Sequence, residues 1–301
     1  MAQLTTPIEI SLKNILVATD FSAASLAALT CVAPIAKQFN SVVHIAHVIH
    51  PPEIYIVSPA VDPEIRQQAH IDAQRQLKLL EAEVGTVPHR TWLREGEVSE
   101  TIEDLVQSQH IDLVAVGASG KSDLKKLFLG SVAEEIVRTA TCPVLTVGPR
   151  ASSSNRCEPL AQLLYVTNFW EESHYGLQYA IRLAIQHKSP LLLLHVVEQE
   201  EPKESGHEWL KEYRRILRNL LPEHAGDLLV EPVLRIEVAK NSTARILQVA
   251  DEICADLIVM DIRPEERWAT HLRDKVSEII SRANCPILTV RTNAEHDAWQ
   301  E

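Results

Sequence analysis

The chain repeats itself, and that repeat limits the folds open to it more than any other feature. "ILVATDFSAAS", from Ile15, resembles "LLYVTNFWEES", from Leu163, and "HIAHVI", from His44, resembles "LLLHVV", from Leu192. Both pairs keep a spacing of 148 residues, with ten identities over the 38 ungapped positions 13–50 and 161–198. "DLVAVG", from Asp112, returns as "DLIVMD", from Asp256. "EIVRTATCPVLTV", from Glu135, returns as "EIISRANCPILTV", from Glu278; over 133–147 and 276–290, eight of fifteen positions are identical. The order is the same in both halves, so one domain has been duplicated. The units are read as residues 1–150 and 160–292. The small, polar stretch "ASSSNRCEP", 151–159, reads as the linker, and the acidic tail, 293–301, as a frayed end.

Within each half, short apolar runs alternate with amphipathic stretches. "NILVAT", "SVVHIAHVI", "HRTWLR", "DLVAVG" and "PVLTV" predict five strands in the first half. Helices are predicted from a Ser22 cap to about Phe39, over "DPEIRQQAHIDAQRQLKLLEAEV", over "SETIEDLVQSQ" with Ser99 as its cap, and from about Ser131 to Thr139. Five strands alternating with four helices predict an α/β fold: a parallel sheet covered on both faces, built twice. Open sheets of this kind bind ligands at the carboxyl ends of their strands, where the strand order switches.

Charge and composition exclude several partners. A formal charge of −12 opposes binding to nucleic acid and to an anionic membrane surface. No apolar run approaches the ~20 residues of a membrane span. The opening "MAQLTTPIEISLKN" lacks the pattern of a secretory signal. The five cysteines match no zinc or redox spacing. They read as small packing residues in a reducing cytoplasm, with Cys142 and Cys285 recurring before Pro143 and Pro286. His44, His47 and His50 alternate across a strand and cannot converge on a metal; His47 recurs as His195, which favours a structural role.

The stretch "VGASGKSDLKKLFLGSV", 116–132, is where chemistry concentrates. Its core "AVGASGKS" fits a permissive P-loop, with "DLIVMD" as a conceivable Walker B strand. A P-loop runs directly into its helix, whereas here "DLKKLFLGS" intervenes, and Asp261 is the repeat counterpart of Gly117. The other reading uses the whole stretch. Gly117 and Gly120 follow the fourth strand; nine residues later, Gly130 and Ser131 open a helix. Amides at that helix start would face a phosphate chain, with Lys121, Lys125 and Lys126 adding positive charge.

The spacing G-x2-G-x9-G-[ST], together with "ATDFS", "HVI" and "CPVLTV", resembles the universal stress protein family across nearly the whole chain, as two tandem copies. The resemblance implies a Rossmann-like fold of the adenine nucleotide alpha hydrolase type. It implies ATP in the first domain, where bound phosphates could recruit Mg²⁺. Ala18, Thr19 and Asp20 would lie beside the nucleoside, and Val48 would offer backbone groups to adenine. Val116 and Gly117 would line the ribose, and Gly120, Gly130, Ser131 and Val132 would hold the phosphates. Asp20 read from the residues alone is equally a turn or capping residue. The second copy departs from the motif, with Asn168 for Asp20, Asp261 for Gly117, Pro264 for Gly120, Arg273 for Gly130 and Asp274 for Ser131. Asp261 and Asp274 would there face the phosphates, so one nucleotide per chain is expected. No nucleophile–base pair stands out, so turnover is not expected; the resemblance implies sensing or signalling in stress tolerance. A nucleotide-free scaffold and a slow ATPase are the alternatives. Family members dimerise through the last strand, which implies an internal pseudo-dimer through Leu145 and Leu288, with further association of whole chains into a homodimer.

Overall fold

The computed structural model describes residues 12–50, 63–118, 129–153, 160–167, 175–199, 208–221, 227–262 and 270–291. The first half runs β1 (Asn14–Ala18), α1 (Ala23–Phe39), β2 (Val42–Ile49), α2 (Pro63–Val84), β3 (His89–Glu95), α3 (Val98–Ser108), β4 (Leu113–Gly117), α4 (Ser131–Thr139) and β5 (Val144–Val147). A short helix α5 (Pro149–Ser153) follows. It occupies the start of the expected linker, with Pro149 at its first position, where a missing N–H costs no hydrogen bond. The second half runs β6 (Leu163–Thr167), α6 (Tyr175–His187), β7 (Leu191–Glu198), α7 (Glu208–Leu220), β8 (Val233–Ala239), α8 (Ser242–Glu252), β9 (Leu257–Ile262), α9 (Thr270–Arg282) and β10 (Ile287–Arg291).

All ten of these strands form one sheet, in the order β3-β2-β1-β4-β5-β10-β9-β6-β7-β8. Neighbours are parallel except β5 and β10, which pair antiparallel with Leu145 opposite Leu288. The carboxyl edges of the two halves therefore point to opposite ends of the sheet. The strands are apolar on both faces because both faces are covered. One apolar layer joins Val17, Leu145, Leu288 and Val259 to α1, α2 and α6; the other joins Leu16, Val144, Ile287 and Ile258 to α3, α4, α8 and α9. Each layer runs without a break through both halves.

Ser22 caps α1 as expected, its hydroxyl accepting from the Ser25 amide at 3.3 Å. Ser99 does not cap α3. That helix starts one residue earlier, with Glu97 at the cap position, and the Ser99 hydroxyl is buried without a hydrogen-bond partner. The cysteines divide into several environments. Cys285 is buried, Cys142 is half-buried and Cys254 is exposed, so packing does not account for Cys254. Cys31, on α1, is disulfide-bonded, against the reading of a free packing thiol. Cys157 lies outside the described residues.

The second half buries a polar group that the first half lacks. Asp261 accepts hydrogen bonds from the Tyr165 hydroxyl at 2.6 Å and from the Gly176 amide at 2.7 Å. The carboxylate expected to face phosphates is instead turned inward, onto the first turn of α6. Tyr165 is fully buried, and its repeat counterpart is the apolar Val17. Burial pushes the Asp261 carboxyl up to about 6, against the downward pull of its two donors. A raised acid favours folding while it is protonated. That contribution is complete below the unfolded value near 3.8 and is lost as pH rises through about 6. His44, His187 and His195, lowered by burial, act in the opposite direction. The expected result is that Asp261→Asn removes a component of on the order of 2–3 kcal/mol from the pH dependence. Urea unfolding of wild type and variant from pH 4 to 7 measures it: wild type should lose stability relative to the variant as pH rises.

Candidate functional site

In the first half, the chain leaves β1 toward β2 on one side and leaves β4 toward β5 on the other. The crevice between β1 and β4, at their carboxyl ends, is the switch point of the sheet. The N-termini of α1 and α4 lie at the same edge, because both helices follow those strands.

The β1–α1 turn is tied by its own side chains. Ala18 ends β1 and pairs with Ala46 and Val116. Thr19 is buried; its hydroxyl accepts from the Phe21 amide and bonds the Ser25 hydroxyl, both at 3.0 Å. Asp20 accepts from the Ser22 amide at 3.0 Å, which makes it a turn-forming residue as well as a polar group at the crevice. Phe21 sits at φ 61°, so the turn is held in a conformation that side chains rarely adopt. Its ring lies 4.3 Å from that of His47. The His47 Nδ1–H donates to the Thr19 carbonyl at 2.7 Å and anchors the turn to β2.

The direction of the Val48 main chain follows from strand parity. The Ala46 carbonyl accepts from the Thr19 amide, on the β1 side, whereas the Ile49 carbonyl accepts from Gly96, on the β3 side. Main-chain groups two residues apart on a strand point the same way. Val48 therefore turns its N–H and C=O toward β1, just past the last β1–β2 pair at Ala18 and Ala46.

Val116 and Gly117 end β4 against the first turn of α1. A Cβ on Gly117 would lie 2.5 Å from the Ala24 carbonyl carbon and 2.6 Å from the Ser25 nitrogen. Glycine is needed there so that α1 can approach, and not for an unusual φ. Beyond it, the Gly130 amide donates to the Ala118 carbonyl at 2.7 Å, which brings the end of β4 to the start of α4. Gly130 caps α4 at φ −65° and ψ 150° without a side-chain bond to the first turn, and Ser131 and Val132 are exposed. Gly120, Lys121, Lys125 and Lys126 lie outside the described residues.

The second half keeps the scaffold and changes the crevice. The His195 Nδ1–H donates to the Thr167 carbonyl at 2.8 Å, as His47 does to Thr19, so this histidine bonds the carbonyl that closes the first strand in both copies. Lys275, the counterpart of Val132, pairs with Glu198, the counterpart of His50. Lys275 holds the Glu198 carboxyl below its usual range, and the Ser242 amide helps. The second turn of α9 is thereby linked to the end of β7. Asn168 and Pro264 lie outside the described residues, as do the side chains of Arg273 and Asp274. Among the described residues no His, Cys, Asp or Glu cluster could hold a metal ion, and no helix is long and apolar enough to cross a membrane.

Neither the Val48 parity nor the inward turn of Asp261 leaves a trace in the local sequence pattern. Both depend on strand register and on partners far apart in the chain.

Comparison with known proteins bears on both halves. The universal stress protein family matches residues 11–148 and again 161–291. A universal stress protein of Methanocaldococcus jannaschii is 32% identical over 145 residues, covering 45% of this chain and 81% of the relative. A universal stress protein A homologue of Coxiella burnetii is 33% identical over 138 residues, covering 45% and 95%. Among solved structures, a universal stress protein from Archaeoglobus fulgidus superposes with a TM-score of 0.67 at 18% identity, covering 93% of this chain and 98% of that one. A Pseudomonas aeruginosa protein of unknown function gives 0.62 at 17%, covering 97% and 98%. The single-unit relatives each account for one half, and the two solved structures match both halves together. The chain belongs to the universal stress protein family, as a tandem member with two copies of the domain.

Proposed function

We propose that the first domain binds ATP and that the chain acts in stress tolerance as a nucleotide-dependent sensor or signalling protein. The observation that carries this reading is the uncapped start of α4 at the β1–β4 switch point, in the half that keeps the family motif. Main-chain amides at a helix start suit phosphate because the donors and the helix field point the same way. In this reading the Val48 main chain meets adenine. Ala18, Thr19, Asp20 and Val116 border the nucleoside, with Thr19 acting by position, since its hydroxyl is already engaged. Gly117, Gly120, Gly130, Ser131 and Val132 form the phosphate end, where Mg²⁺ can join the phosphates. The second domain serves as a partner in an internal pseudo-dimer through β5 and β10, with its own crevice bridged by Lys275 and Glu198.

Two glycines test this reading in different ways. Gly130→Val places a branched side chain over the first turn of α4, at a φ that any residue tolerates. It should weaken ATP binding at least about tenfold, the equivalent of ~1.4 kcal/mol, while thermal unfolding stays close to wild type. Gly117→Ala must move backbone atoms of α1, so it should lower the melting temperature as well. Unchanged calorimetric affinity in Gly130→Val would refute the site.

Stoichiometry tests the difference between the halves. Native mass spectrometry and titration should give one adenine nucleotide per chain. Saturation at two equivalents would overturn the assignment to the first domain.

A further inference from the structure

Helix α4 is held at both ends by different parts of the chain. Its start, at Gly130 and Ser131, faces the crevice; its last residue, Thr139, is bonded by the second domain. Arg291, the final residue of β10, donates from Nη1 to the Thr139 carbonyl at 2.9 Å. The guanidinium is partly buried, and among the described residues its Nε has no hydrogen-bond partner. Glu103 and Arg138 are its charged neighbours, of opposite effect. A matching contact runs the other way. Arg150 of α5 donates from Nη1 to the Arg282 carbonyl at 3.4 Å, and Arg282 is the repeat counterpart of Thr139. Each domain thus caps the final helix of the other with an arginine, although neither arginine recurs at the matching position of the repeat. The first contact is shorter and more buried than the second.

We infer that Arg291 is a positioning residue for the phosphate end of the first domain's site, acting through α4 from the opposite domain. The inference rests on the nucleotide reading above. The helix has nine residues, so it is ~13 Å long. Ile136 and Val137 key it into the core, and on that scale it moves as a rod. A shift at Thr139 is therefore a shift of the amides at Ser131 and Val132. A cation at the carboxyl end also completes the helix dipole and holds the last turn closed. Adenine and ribose are met by β1, β2 and β4, which Arg291 does not touch, so the effect falls on phosphate alone.

The test compares ATP with adenosine, by calorimetry on the full-length chain. Arg291→Ala should weaken ATP about fivefold, the low end of measured site-to-site coupling, and leave adenosine unchanged. Arg291→Lys, which keeps the cation, should recover most of the loss. Arg150→Ala, which uncaps α9 instead, should leave both ligands unchanged. Unaltered ATP affinity in Arg291→Ala, an equal loss for ATP and adenosine, or an equal loss in Arg150→Ala would each overturn the inference while leaving the nucleotide site standing. If wild type binds neither ligand, the nucleotide reading falls and this inference falls with it. Circular dichroism checks folding; should Arg291→Ala fail to fold, Arg291→Gln makes the same comparison with a neutral donor.

Discussion

The antiparallel pairing of β5 with β10 is the contact on which the rest of the architecture depends. A five-stranded parallel sheet covered on both faces ends in an apolar strand with an unpaired row of amides and carbonyls. Here Val144–Val147 is buried along its whole length, and its open edge is closed by the equivalent strand of the second copy. Side chains reinforce the join: the Thr289 hydroxyl donates to the Val144 carbonyl at 3.2 Å. A Cβ on Gly148 would lie 2.1 Å from the Ile280 carbonyl oxygen, so only glycine lets α9 approach so closely. Because the pairing is antiparallel, the two crevices open at opposite ends of the sheet, and one ligand cannot bridge them.

The halves share the sheet and part company at one position. After β4 the first half has Gly117, which lets α1 press against the strand. After the same strand the second half has Asp261, whose carboxylate takes the amide of Gly176 and the hydroxyl of Tyr165. A carboxylate at a helix start is electrostatically favourable, but burying it is costly, and burial pushes its carboxyl up to about 6 despite the two donors. The substitution altered the polar core of the second half as well as its ligand edge.

Much of this was legible in the sequence, and the parts that were not share a cause. Strand and helix positions followed from periodicity, and the duplication fixed the architecture, because apolar runs recur wherever both sheet faces are buried. The α4 boundaries were readable because glycine and serine sit just where the apolar pattern resumes. Ser99 misled because Glu97, Val98 and Ser99 are adjacent, and this helix packs against β2 and α4, which no local pattern records. The direction of Asp261 depended on partners 85 and 96 residues away, and the role of Val48 on the register of β1 against β2. Local pattern carries no record of such long-range choices.

An acidic chain that binds an anion must do so locally. Charges more than about 8 Å apart are screened at physiological salt, so the net charge of −12 matters less than the groups at the site. The two copies solve the charge at their final helices differently. In the second, Lys275, in the second turn of α9, is paired with Glu198 at the end of β7. In the first, the same positions are Val132 and His50, and the amides at the start of α4 have no side-chain cap. Glu134 in that first turn is the nearest acid on the helix, and it offers the dipole only a partial complement from the helix itself. The ion pair that joins α9 to β7 therefore has no counterpart between Val132 and His50 in the first copy.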